Sequence, residues 1–187
     1  PAGGSTGAAM EHGIAIQAAL IARATGRPVQ LTRSRTEDIL QDMPRAPARA
    51  RMVASLSSGA TVDAWQASMA TPAARHEWRA RVGGAKPHAA AEASAGDTDA
   101  GAVADAVPPY LIPNLAIDHL PVQTGLPAGY WRSNAASITG FLNESFVDEL
   151  ASAARVDPLS FRMGMLGDAP RLARCLQAAT ALGGWDG

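Results

Sequence analysis

The sequence predicts an α+β fold: a two-layer unit in which a mainly antiparallel sheet packs against helices at both chain ends. Two runs of alternating residues flank a Gly-containing turn in the middle of the chain, and helical periodicity occupies both ends. No regular strand–helix–strand succession joins them, which separates this pattern from a βαβ fold.

At the start, Gly3-Gly-Ser-Thr-Gly7 opens a helical run from Ala8 to Thr25, with Met10, Ile14, Ala18 and Ile21 on one stripe and Gly26 as its stop. Pro28 to Thr32 reads as a short buried strand, and Thr36 to Gln41 as a turn of helix capped by Thr36. Ala50 to Leu56 and Thr61 to Ala70 form a hairpin. Met52, Ala54 and Leu56 with Val62, Ala64 and Gln66 are expected on its packed face. Residues 83–107 contain almost no large apolar side chain and are expected as a long flexible insertion loop.

Leu115 to Gln123 alternates like another strand, with Ile117, His119 and Pro121 on one side. Gly129 to Ile138 forms a polar loop feeding a helix to Arg155, whose stripe is Ile138, Leu142, Phe146 and Leu150 with Phe141 beside it. Asp157 then caps a helix with Pro158 at its first position, and Pro170 to Leu182 makes a last helix ending at Gly183. Loops that lead into helix starts present backbone N–H groups to ligands, and here two do so, at Gly3–Gly7 and at Gly129–Ile138.

With 187 residues and 47% hydrophobic content, the chain is expected as one domain, or as one lobe excised from a longer polypeptide. A net charge of −1 with interspersed signs carries no footprint for nucleic acid, and no apolar run is long enough for direct membrane insertion. The single cysteine, Cys175, excludes an internal disulfide and is expected to be inert packing in a helix. His12, His76, His88 and His119 are scattered without metal-ligand spacing, so no metal site is expected.

No Gly-x-Ser-x-Gly elbow occurs, and the first loop lacks full dinucleotide-binding spacing. Trp131 reads either as a core anchor or as a pocket wall, and Arg132 as a clamp on carbonyls or a ligand contact. Glu144 is expected to accept N–H bonds from the Ser133 to Ser137 loop and so to hold it, acting at one remove from any ligand.

The ordered set Gly26-Arg-Pro-Val-Gln-Leu-Thr-Arg33, Glu37-Asp38, Asp63-Ala-Trp65, Pro109-Tyr-Leu-Ile-Pro-Asn114, Gly129-Tyr-Trp-Arg-Ser133, Glu144-Ser-Phe-Val-Asp-Glu-Leu-Ala151 and Asp157-Pro-Leu-Ser-Phe-Arg162 resembles a known family. It is the molybdenum-cofactor subunit of the xanthine dehydrogenase and aldehyde oxidase family, in its isoquinoline 1-oxidoreductase type of beta subunit. The resemblance covers nearly the whole chain except residues 83–107.

It implies a molybdopterin dinucleotide held by Gly4, Ser5, Thr6 and Gly7 and by Trp131, Arg132, Ser133 and Asn134. It also implies an oxidative hydroxylation of an aldehyde or N-heterocycle with water as the oxygen source. Electrons would leave through iron–sulfur clusters on a partner subunit, and the remainder of the molybdenum subunit would complete the cleft.

The branch reads Gly-Gly-Gly-Phe-Gly-Arg-Arg at the first loop, where this chain has Thr6, Ala8 and Ala9 in place of the aromatic residue and both cations. The family's catalytic glutamate lies in a Gly-Glu context that this sequence lacks, so the resemblance implies no catalytic residue in this chain. Two functions follow as expectations: part of a cofactor cleft, or a non-catalytic scaffold lobe of the same fold.

Overall fold

A computed structural model describes residues 11–185. In chain order the elements are α1 (Gly13–Thr25), α2 (Arg35–Gln41), β1 (Arg49–Leu56), β2 (Val62–Thr71), α3 (Ala74–Val82), α4 (Pro87–Ala93), a 3-10 turn (Ala100–Ala102), β3 (Asn114–Pro121), α5 (Ala136–Ala154), α6 (Pro158–Met165) and α7 (Pro170–Gly183). The class is α+β, with α3, α4 and the 3-10 turn between β2 and β3 in the sequence. The chain forms two compact units: one gathers the residues up to Ala48, Thr71–Ala102 and Pro121–Asn134, and the other Arg49–Ala70, Val103–Leu120 and Ala135–Gly187.

The second unit is built on the sheet, in the order β1-β2-β3. β1 and β2 pair antiparallel, as the alternating runs predict. β3 runs parallel to β2, because Asn114 bonds to Asp63 and Asp118, four residues on, faces Gln66 and Ser68; the sheet is therefore mixed.

A register shift at Ser55/Leu56 pairs Ser55 with Ala64 but Leu56 with Val62, leaving Asp63 as the extra residue of a bulge. Side chains alternate with period two, so one inserted residue reverses the inward set beyond it. The buried residues of β2 are consequently Val62, then Trp65, Ala67, Met69 and Thr71, and the expected Ala64 and Gln66 are displaced from the packed face. Ile117, His119 and Pro121 do share the less exposed side of β3.

Trp65 meets Phe146 of α5 edge to face at 4.9 Å, and Val147, Leu150, Ala151, Phe161 and Met165 complete this core. The buried residues of α5 are Thr139, Asn143, Val147, Leu150 and Ala151; of the expected stripe Leu150 is buried and Phe146 packs against the core, while Phe141 is 71% exposed. The polar members of the buried set are satisfied: Thr139 Oγ1 donates to the Ala135 carbonyl at 3.2 Å and Asn143 Nδ2 to that of Ala106 at 3.1 Å. Asp157 caps α6 as its Asp-Pro start predicts, accepting the Ser160 N–H at 2.7 Å. Cys175 is exposed on α7 rather than packed.

In the first unit, α1 ends at Gly26 in the left-handed conformation, as expected of a C-terminal glycine. Residues 28–32 form no strand, and Ser34 rather than Thr36 caps α2, accepting the Glu37 N–H at 3.1 Å. The stretch 83–107 is not a continuous loop. It carries α4 and the 3-10 turn, because Ala90 and Ala102 are small enough to pack closely and Asp99, fully buried, pairs with Arg75 at 2.7 Å. Asp99 also accepts the Gly101 N–H at 2.8 Å. Low side-chain volume, which reads as disorder in a sequence, here serves close approach.

Candidate functional site

Gly4, Ser5, Thr6 and Gly7 lie outside the described residues. Trp131, Arg132, Ser133 and Asn134 form a turn of the first unit leading toward α5, with Arg132 and Ser133 exposed and Ser133 at φ +56. A non-glycine residue in the left-handed region marks a backbone held by its surroundings.

Those surroundings start at Gly129, whose N–H donates to the Pro44 carbonyl at 2.8 Å and which bridges to Arg45 as a parallel pair. Trp131 Nε1 donates to the Met43 carbonyl at 2.8 Å, and the Arg45 guanidinium lies 5.5 Å from the Trp131 ring centre. Arg45 also reaches the Arg132 carbonyl at 3.5 Å. Tyr130 stacks on Trp78 of α3, with ring centres 5.5 Å apart.

Trp131 is therefore half-buried and fixed at its indole nitrogen. The 43–45 segment that holds it is 86 or more residues away in sequence, and no local pattern announces the pairing.

Beneath the turn, Glu77 of α3 accepts the buried Ala128 N–H at 2.7 Å. Desolvation raises its pKa from the ordinary 4.5, opposed by that N–H bond and by the Arg81 charge. Arg81, four residues on, grips Glu11 with a fork of Nε at 2.9 Å and Nη2 at 2.6 Å. The Glu77-x-x-x-Arg81 spacing was the available sequence signal, since it places both on one helical face. A cavity of about 580 Å3 in this unit is bordered by Glu11, Ile14, Leu31, Arg33, Arg35 and Met43, so the residues that hold Arg81 and Trp131 also wall it.

Glu144, expected to accept N–H bonds from the Ser133 to Ser137 loop, belongs to the second unit and takes its carboxylate bonds from Tyr110 and Arg162. Both its carboxylate oxygens accept the Tyr110 hydroxyl at 3.0 Å, and Oε2 accepts Arg162 Nε at 2.9 Å. Arg162 further donates to Asp148 at 2.6 Å and to the carbonyls of Glu144 and Pro158. Burial disfavours the Arg162 charge, but the bonds to Asp148 and Glu144 outweigh it and the net shift is upward. Tyr110 is pushed up to about 12 by burial and by the Glu144 charge, and so stays a neutral donor. Three separate motif stretches, those of Tyr110, Glu144 and Arg162, thus meet in one network whose evident task is to join α5 to α6.

Among the described residues, no group of three or more His, Cys, Asp and Glu side chains is placed to hold a metal ion, and no helix is long and apolar enough to cross a membrane.

Comparison with known proteins gives this arrangement a family. The chain is 27% identical over 183 residues to the isoquinoline 1-oxidoreductase subunit beta of Brevundimonas diminuta, an alignment covering 98% of this chain and 22% of that protein. The chain thus spans about a fifth of the length of that relative. Residues 1–165 match the family model of the molybdopterin cofactor-binding domain, most of the sequence, and the chain belongs to that family.

Proposed function

We propose that this chain forms part of the molybdopterin cleft of a molybdenum hydroxylase that oxidises an aldehyde or N-heterocycle with oxygen drawn from water. The observation that carries the reading is the turn at Trp131–Asn134, tied by Trp131 and Gly129 to the 43–45 segment and flanked by two guanidinium groups, Arg45 and Arg132. The two guanidinium groups suit an anionic pterin carrying phosphate, and the Trp131 ring, fixed at its nitrogen, would give it a flat apolar wall.

When bound, the cofactor supplies the redox chemistry at its metal. This chain's residues would bind and orient it. Trp131 and Arg132 would line the pocket, Ser133 and Asn134 would offer polar groups, and Gly4, Ser5, Thr6 and Gly7 would be the second set of contacts, as the resemblance implies. Glu144 acts at a distance, holding α5 to α6 and thereby fixing the helix into which the turn leads. In this reading the cofactor is a dinucleotide, the rest of the molybdenum subunit supplies the reacting base, and an iron–sulfur subunit takes the electrons.

Replacing Arg132 by Ala in the complete gene product is expected to lower bound molybdenum about tenfold, read by metal analysis of the purified protein, with its far-ultraviolet circular dichroism unchanged. Full molybdenum in a folded Arg132→Ala protein would contradict the assignment.

A second reading rests on Thr6, Ala8 and Ala9, which replace an aromatic residue and two cations of the resembling branch. Without those groups the lobe would be a scaffold that has lost its cofactor, and the unaltered protein would purify free of molybdenum.

A further inference from the structure

Glu77 and Arg81 have no assigned role, yet they are the most deeply placed ion pair of the first unit, with side chains 5% and 3% exposed. Arg81 faces two carboxylates. Its Nε and Nη2 fork onto Glu11, while Nη1 stands 3.6 Å from Glu77 Oε2 and has no hydrogen-bond partner among the described residues. The second oxygen contact of Nε, at 3.1 Å, makes the Glu11 grip bidentate. Glu77 in turn receives the Ala128 N–H.

Two positions are joined in this way. Glu11 stands two residues before α1, and Ala128 stands three residues before the Trp131–Asn134 turn read above as touching the cofactor. A nearly dry ion pair costs desolvation, and a hydrophobic pair would fill the same volume at least as stably. What such a pair adds is a fixed geometry, because a buried fork has few alternative arrangements.

We infer that Glu77 and Arg81 are positioning residues: a buried clamp on α3 that holds the chain at Glu11, just before α1, and the chain at Ala128, just before the Trp131 turn, in one register, and so sets that turn for the cofactor. This rests on the cofactor-cleft reading for its purpose, but the clamp itself is a property of the protein alone.

The test is hydrogen–deuterium exchange on the complete gene product with its co-purifying subunits, together with molybdenum analysis of the same samples. In Arg81→Met, exchange is expected to rise about tenfold in both the peptide carrying Glu11 and the peptide spanning 126–134, and molybdenum to fall about tenfold. In Glu77→Gln the rise is confined to 126–134.

Glu11→Ala alters a more exposed partner and provides the milder variant should Arg81→Met fail to fold; it loosens the Glu11 peptide first. Unchanged exchange in folded variants, or a rise spread evenly over the protein including α5 and α6, would overturn the clamp. If the unaltered protein carries no molybdenum, the cofactor reading fails, and the exchange pattern still decides whether the two segments are coupled.

Discussion

At Gly129 an added methyl group would stand 2.6 Å from Trp131 Nε1 and 2.7 Å from the Met43 carbonyl oxygen, so the missing side chain is what lets the indole reach that carbonyl. Gly129→Ala is expected to destabilise the protein by about 1–3 kcal/mol through overpacking, visible as a lower melting temperature and an altered Trp emission.

Glu77 makes a prediction in pH. Its folded pKa lies above the ordinary 4.5, so its contribution to stability is fully present below that value and is lost as pH rises through the folded pKa. Glu77→Gln should therefore flatten the fall in melting temperature over that window, and an identical pH profile would show that the residue does not titrate there. The glycine was visible in Gly129-Tyr-Trp-Arg, but its reason was not, because the atoms it avoids belong to Met43 as well as Trp131.

Elements were legible where periodicity was long and wrong where one residue mattered. α5 and the hairpin appeared at nearly their observed bounds, since a stretch of 19 residues and two facing strands each average over local noise. The bulge at Asp63 carried no signal strong enough to move Trp65 rather than Ala64 to the inside. The buried Thr139 and Asn143 of α5 were missed because they are polar; their burial depends on carbonyl partners that periodicity does not consider.

α4 was missed for a related reason: Pro87 to Ala93 has no large apolar residue, and its packing is of alanine. The network of Tyr110, Glu144 and Arg162 is the element-scale consequence of three motifs. Arg162→Ala is expected to cost about 1–2 kcal/mol, less than for a fully buried pair because Glu144 and Asp148 are partly solvated. Chemical denaturation of the variant would measure it; a change below about 0.5 kcal/mol, the level of an ordinary surface substitution, would mean the network is incidental.

At the scale of the molecule, the family was readable from the order of several short motifs, and the match over residues 1–165 agrees with it. The ties that shape the candidate site were less readable: Met43 to Trp131, Arg45 to Arg132 and Glu11 to Arg81 join residues 70 to 88 positions apart. Pairings at such separations follow from the tertiary fold, and a pattern confined to one helix or turn cannot contain them.

The most direct test is the molybdenum, iron and released-nucleotide content of the complete gene product, purified with every subunit that co-elutes from cells shown to make the cofactor. The account predicts stoichiometric molybdenum, a pterin nucleotide, and iron that follows a partner subunit. A folded protein free of molybdenum and pterin would contradict it and leave the scaffold reading in its place.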